Sequence, residues 1–115
     1  NSAPSYSVGS GNAVVARAQS CLGAEYVWGA CSPGAFDCSG FVSYCLTGQY
    51  VRLGNTTTFM GWPRVSNPQP GDVCVGNGHC GIYIGGGRMI HAATEGVGVI
   101  TGPVQSGMIY VRYGG

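Results

Sequence analysis

Cys38, His79 and His91 are the residues of this chain whose types suit nucleophilic catalysis. A cysteine thiolate is a strong nucleophile, and it needs a nearby base that takes and returns a proton. Histidine fills that role near neutral pH, and a second polar group can hold its imidazole in the correct tautomer. Because the sequence has two histidines, one candidate is available for each role.

The residues around Cys38 predict the start of a helix. Asp37 is a suitable N-cap, apolar side chains recur at helical spacing over residues 38–46, and Gly48 follows as a stop. A thiol in the first turn lies near unpaired backbone N–H groups and the positive end of the helix dipole, and both lower its pKa. The predicted helix therefore favours the thiolate form of Cys38.

The two histidines fall on adjacent strands of a predicted hairpin, residues 79–84 and 88–93. With a three-residue loop, Gly81 faces His91, and His79 lies diagonally from His91 on the same face of the sheet. With a two-residue loop the register moves by one residue and the imidazoles point to opposite faces. Their proximity therefore depends on the turn.

The remaining patterns place helices first and strands afterwards. An amphipathic helix is predicted over residues 12–22, and further strands over 73–75, 97–101 and 108–113. Helices that are segregated from a meander of antiparallel strands are typical of the α+β class.

The composition of the 115 residues limits the classes of protein to which the chain can belong. Charged residues make up 8% and the formal net charge is +1, so the basic stripe of a nucleic-acid-binding protein is missing. No segment approaches the roughly 18 continuous apolar residues that span a bilayer. We expect a linker or tether remnant at residues 1–11 and one domain at 12–115.

Five short motifs follow one another along the chain. They are Tyr-Val-Trp-Gly at 26–29, Phe-Asp-Cys-Ser-Gly-Phe-Val at 36–42, Pro-Gly-Asp at 70–72, Gly-His-Cys-Gly-Ile-Tyr-Ile-Gly at 78–85 and Met-Ile-His-Ala at 89–92. Pro-Gly-Asp alone is common, but the ordered series is specific. It resembles the NlpC/p-sixty family of cysteine peptidases over residues 12–113.

The resemblance implies a papain-like fold, in which N-terminal helices pack on an antiparallel sheet of about five strands. It implies that Cys38 is the nucleophile, His79 the general base and His91 the residue that orients it. Tyr26 matches a tyrosine that helps to position the acyl oxygen. Asp37 and Ser39 match positions near the part of the cleft that receives the stem peptide.

The implied function is that of a secreted or wall-associated endopeptidase acting on peptidoglycan stem peptides. The expected bond joins γ-D-glutamate to a diamino acid, and cleavage proceeds through a thioester on Cys38. We expect a monomer that needs no metal or cofactor and has no nucleic-acid partner or membrane span. Two alternatives stay open: an N-acetylmuramoyl-L-alanine amidase or acyl transferase on the same fold, and a wall-binding module without catalysis.

The other cysteines are interpreted as structural. Six cysteines in so short a chain favour an oxidising compartment. A three-residue turn at 76–78 would place Cys74 opposite Cys80 and predicts a disulfide, and Cys21 with Cys31 is a candidate for a second one. His79 and Cys80 are adjacent and point to opposite sides of a strand, which disfavours a zinc site.

Three further expectations concern single residues, and one residue departs from the resemblance. Cys45 is expected to be buried and reduced, Trp28 to be a core aromatic, and Asp72 to brace the turn into the first strand of the sheet. Cys80 departs from the resemblance, because the family usually has an aliphatic residue at this position.

Overall fold

A computed structural model of the chain describes residues 8–76 and 78–113. Its elements in chain order are α1 (Val8–Ser20), β1 (Glu25–Tyr26), β2 (Cys31–Ser32), β3 (Ala35–Phe36), α2 (Cys38–Thr47), α3 (Thr56–Met60), β4 (Val73–Gly76), β5 (His79–Gly85), β6 (Arg88–Ala92), β7 (Val99–Pro103) and β8 (Ile109–Val111). No helix in this part of the chain combines the length and the apolarity needed to cross a bilayer.

Helix α1 begins earlier than its sequence predicts. The glycines at 9 and 11 disfavour a helix, so Asn12 was the expected start, yet the helix begins at Val8. Gly11 packs so closely on the turn before β4 that a Cβ atom there would lie 3.0 Å from the Pro70 carbonyl oxygen. This packing stabilises the first turn of α1 by more than the low helix propensity of the two glycines destabilises it. Residues 1–7 of the expected tether lie outside the described residues.

Helix α2 confirms the prediction made around Cys38. The Asp37 carboxylate caps it by accepting a hydrogen bond of 2.7 Å from the Gly40 N–H. Gly48 ends it with a positive φ of 75°, a conformation that favours glycine. Phe41 and Cys45 point into the core, so Cys45 is buried and reduced as expected.

The main sheet has five strands in the order β7-β6-β5-β4-β8, and every neighbouring pair is antiparallel. The five predicted strands are confirmed, and most of their ends differ from the predicted ends by one or two residues. Helix α2 packs on β5 and α1 packs on α2. Their buried apolar side chains form one core, to which Val14, Phe41, Ile82 and Ile90 contribute.

The β5–β6 hairpin has the two-residue loop of one predicted alternative and the strand register of the other. Gly85 pairs with Arg88, which makes a two-residue loop, but Tyr83 pairs with Met89 and Ile82 with Ile90. Ile84 is therefore the extra residue of a β-bulge, which restores the register that a three-residue loop would produce. In consequence Gly81 lies against His91, as predicted.

Two small features were not predicted. Strands β1, β2 and β3 form a sheet of two-residue strands, which are too short to show an alternating pattern. Helix α3 has five residues, with a capping box between Asn55 and Thr58. Threonine has a low helix propensity, so this helix depends on a tertiary contact, the burial of the Phe59 side chain in the core.

The predicted disulfides are wrong, since all six cysteines are described and all are free thiols. Gly76 pairs with His79, which places Cys74 opposite Gly81 and Cys80 opposite Val75. Cys74 and Cys80 therefore point to opposite faces of the sheet, because side chains alternate along a strand. Cys21 and Cys31 are likewise separate half-buried thiols.

Candidate active site

The start of α2 places the Cys38 thiol beside the start of β5. The Cys38 Sγ atom is half-buried and lies 4.0 Å from the carbonyl oxygen of Gly78. The side chains of Cys80 and His79 are close enough to lower the pKa of this thiol. Three consecutive residues at the start of β5 and in the turn before it therefore lie near the Cys38 sulfur.

The two histidines are brought together as predicted. His79 Nε2 lies 2.7 Å from His91 Nδ1, and the rings meet edge to face. The glycine between them on the face of β5 leaves the necessary room, because a Cβ atom at Gly81 would lie 3.0 Å from the Cβ atom of His91. A larger residue at position 81 would displace the second imidazole.

The protonation of the histidine pair follows from its surroundings. Burial, and to a smaller extent the charge of His79, lower the pKa of His91 to about 4. His91 is therefore neutral at pH 7, and its Nδ1 can accept a hydrogen bond from His79 Nε2–H. In that arrangement the other ring nitrogen of His79, Nδ1, remains available to Cys38.

The pKa of Cys38 is lowered to about 5. The hydrogen bond from the Cys80 thiol lowers it most, burial raises it, and a hydrogen bond and the charge of His79 lower it. The thiolate expected from the sequence is thus favoured, but its largest single cause is a neighbour that the sequence did not point to.

This lowered pKa predicts how Cys38 reacts with pH. The rate of alkylation by iodoacetamide should rise through about pH 5 and stay nearly constant from there to neutral pH, because the thiolate is the reactive form. Mass spectrometry of the Cys38 peptide measures the rate. Cys74 is the internal control, since burial raises its pKa to about 12 and it should stay unmodified. A midpoint near that of free cysteine, about 8.5, would contradict the prediction.

Asp37 and Ser39 flank Cys38 and are held by a residue that the sequence analysis missed. Arg52 forms an ion pair of 3.0 Å with Asp37 Oδ1 and donates to Ser39 Oγ at 2.5 Å. Asp37 Oδ2 also accepts a hydrogen bond from the Gly29 N–H. No local pattern marks Arg52, because it reaches the site from the loop after α2.

Tyr26 lies on β1, close enough to be influenced by the charges of Cys38 and Asp37. Its pKa is raised, mainly by burial and then by those charges, so the phenol keeps its proton at neutral pH and can donate a hydrogen bond.

Trp28 is not the core aromatic that was expected, because 83% of it is exposed. Backbone hydrogen bonds on either side hold its loop, from Val27 N–H to the Phe36 carbonyl and from Gly29 N–H to Asp37. The indole therefore projects into solvent beside the residue that caps α2. A two-residue strand gives no sequence signal for this orientation.

Sequence comparisons relate the chain to bacterial proteins. The profile of the NlpC/P60 family matches residues 23–114. A probable endopeptidase of Mycobacterium tuberculosis is 41% identical over 110 residues, which cover 89% of this chain and 29% of that protein. The probable endopeptidase p60 of Listeria grayi is 42% identical over 97 residues, which cover 76% of this chain and 19% of that protein. The chain thus spans less than a third of the length of either relative.

Solved structures share the fold. The NlpC/p60 domain of the peptidoglycan hydrolase SagA superposes with a TM-score of 0.72 at 33% identity, over 89% of this chain and 98% of that one. The peptidoglycan hydrolase RipB of Mycobacterium tuberculosis superposes with a TM-score of 0.77 at 27% identity, over 91% of this chain and 65% of that one. The predicted α+β, papain-like architecture is confirmed.

Proposed function

This chain belongs to the NlpC/P60 family, as its motif series predicted, and on that basis we propose that it is a cysteine endopeptidase that hydrolyses peptidoglycan stem peptides. The observation that carries the proposal is the contact of the Cys38 thiol with His79, whose other ring nitrogen lies 2.7 Å from His91. The names of its relatives support it: one is a probable endopeptidase and another a peptidoglycan hydrolase.

In the proposed reaction the Cys38 thiolate attacks the carbonyl carbon of an amide bond in the stem peptide. Protonated His79 then donates its proton to the leaving amine, and a thioester to Cys38 remains. A water molecule gives a proton to His79 and attacks the thioester, which releases the carboxylate and restores the thiolate. His91 is neutral throughout, because burial lowers its pKa to about 4, and it orients His79.

The negative charge that develops on the carbonyl oxygen needs hydrogen-bond donors. First-turn N–H groups of a helix have no intrahelical acceptor. Apart from the Gly40 N–H, which already donates to Asp37, those at the start of α2 can face this oxygen. Tyr26 supplies a second donor, since burial raises its pKa and keeps its proton in place. Asp37 and Ser39 are assigned to the part of the cleft that receives the stem peptide, where Arg52 holds them in position.

Replacing Tyr26 with phenylalanine should lower kcat by about 100-fold and change KM little, because the lost donor acts mainly on the transition state. Steady-state cleavage of a purified muropeptide measures both constants. Tyr110→Phe is the matched control: this tyrosine lies on the edge strand β8 and packs on Tyr83. An unchanged kcat for Tyr26→Phe would remove this residue from the proposed site.

The proposed bond is the one between γ-D-glutamate and the diamino acid. The test is mass spectrometry of muropeptides after incubation with the wild-type protein and with Cys38→Ala. Fragments split at that bond, absent with the variant, would support both the bond and the nucleophile. Fragments split between muramic acid and L-alanine would replace the proposal with an amidase, and no products from reduced wild-type protein would replace it with a binding module.

We further propose that residues 12–115 act as a monomeric domain at the cell wall, outside the cell. The substrate is located there, and a thiol peptidase that worked elsewhere would not meet it. Sedimentation of the purified chain at increasing concentration tests the monomer, and immunoblotting of wall fractions tests the location.

A further inference from the structure

A second thiol, that of Cys80, lies in the core cluster against which Cys38 packs. Cys80 is on β5, next to His79, and its side chain points into the core with 0% of it exposed. Helix α2 packs on β5, Cys38 packs against the core cluster to which Cys80 belongs, and each of the two thiols shifts the pKa of the other. The mechanism proposed above uses Cys38 and both histidines, but it gives Cys80 no chemical step.

The two thiols differ in a way that suits a redox pair. Cys38 is half-buried and favours the thiolate, since its pKa is about 5. Burial and the hydrogen bond to Cys38 raise the pKa of Cys80 well above its usual value. Reactive oxygen species attack accessible, low-pKa thiolates first, and redox-sensing cysteines are often placed next to a second cysteine.

We propose that a hydroperoxide oxidises Cys38 and that Cys80 then closes a reversible disulfide with it, which switches the enzyme off. Cys80 is the resolving cysteine of this pair. The inference goes beyond the proposed function and rests on it only in that Cys38 is the reactive thiolate.

The step balances without any further reactant. The Cys38 thiolate attacks one oxygen of the hydroperoxide, the O–O bond breaks, and hydroxide or alkoxide leaves while Cys38 becomes a sulfenic acid. The Cys80 sulfur then attacks the Cys38 sulfur, the S–S bond forms and the S–O bond breaks. The proton of Cys80 leaves with the departing hydroxyl as water. The two thiols are oxidised by two electrons, and the hydroperoxide is reduced by two.

The position of Cys80 also predicts protection. A sulfenic acid without a neighbouring thiol is oxidised further to sulfinic acid, which common reductants do not reverse. The disulfide stops the oxidation at a reversible stage. Of the other cysteines, Cys74 points to the opposite face of the sheet and Cys31 bonds the carbonyl of Gly40 through its own thiol.

The test treats the reduced wild-type protein with one equivalent of hydrogen peroxide, alkylates the remaining thiols and maps the peptides by mass spectrometry. We expect the loss of two hydrogen atoms and a link between the Cys38 and Cys80 peptides, which dithiothreitol reverses. A link from Cys38 to any other cysteine, or Cys38 carrying two added oxygen atoms while Cys80 is free, would overturn the proposal.

Two matched variants sharpen the result. Cys80→Val is treated with two equivalents of hydrogen peroxide, because a sulfinic acid takes up two oxygen atoms. It should carry sulfinic acid on Cys38 where the wild type at the same dose carries the disulfide, and treatment with dithiothreitol should then restore less than about a tenth of the oxidised fraction. Cys74→Val should behave as wild type. The mapping of the wild-type protein needs no variant to fold and no activity assay. Failure of the peptidase assay with a correct Cys38–Cys80 link would therefore contradict the proposed substrate alone, whereas an unreacted Cys38 would contradict both proposals.

Discussion

Cys38→Ser is expected to lower kcat for stem-peptide cleavage by about ten-thousand-fold or more. Serine keeps the shape of the side chain but not its chemistry, because a hydroxyl stays protonated at the pH at which the thiol, with its pKa of about 5, is already a thiolate. The histidine pair, the helix N–H groups and Tyr26 remain in place, so binding of the muropeptide should change little. A fall in kcat at nearly constant KM is the signature of a lost nucleophile.

The control for this prediction is Cys31→Ser. Cys31 is also half-buried near the start of α2, and its sulfur donates a hydrogen bond to the Gly40 carbonyl at 3.4 Å. A serine hydroxyl can make the same bond, so this variant should keep kcat within about two-fold of wild type. Circular dichroism and thermal unfolding establish that both variants fold. Substantial turnover by Cys38→Ser would show that another group attacks the substrate.

Arg112→Met is expected to lower the free energy of unfolding by about 3 kcal/mol. Arg112 holds both carboxylate oxygens of Asp72, through Nε at 2.7 Å and Nη2 at 2.8 Å. The Asp72 side chain is 5% exposed and that of Arg112 39% exposed. Removing the arginine therefore leaves a buried carboxylate whose remaining donor, among the described residues, is the Gln69 N–H at 2.7 Å.

Urea unfolding followed by tryptophan fluorescence measures this loss. Arg112→Lys keeps the charge but cannot bind both oxygens in the same geometry, so it should fall between the wild type and Arg112→Met. Arg88→Met, at an exposed position on β6, should change the free energy by less than about 0.5 kcal/mol. Equal losses for Arg88→Met and Arg112→Met would mean that the ion pair does not stabilise the fold.

The Asp72 carboxylate shows how much a turn motif predicts. Pro-Gly-Asp marks a turn before the first strand of the sheet, and Asp72 does brace it, since its carboxylate and its N–H both bond to Gln69. The partner Arg112 lies 40 residues away, and no local pattern links the two positions. Chain topology brings them together, because β8 returns along β4.

The sequence by itself determined the α+β class, helix α2 with both of its caps and the five strands, and it pointed to the three residues of the proposed site. These are local properties: a cap, a stop and an alternating pattern depend on neighbours within a few positions. Only the tertiary structure decided the rest. The β-bulge at Ile84 sets the register that joins His79 to His91, and contact with Gly71 starts α1 early. The β4–β5 register turns Cys80 away from Cys74 and toward Cys38. Each depends on which distant segments touch, and a shift of one residue reverses the face on which a side chain lies.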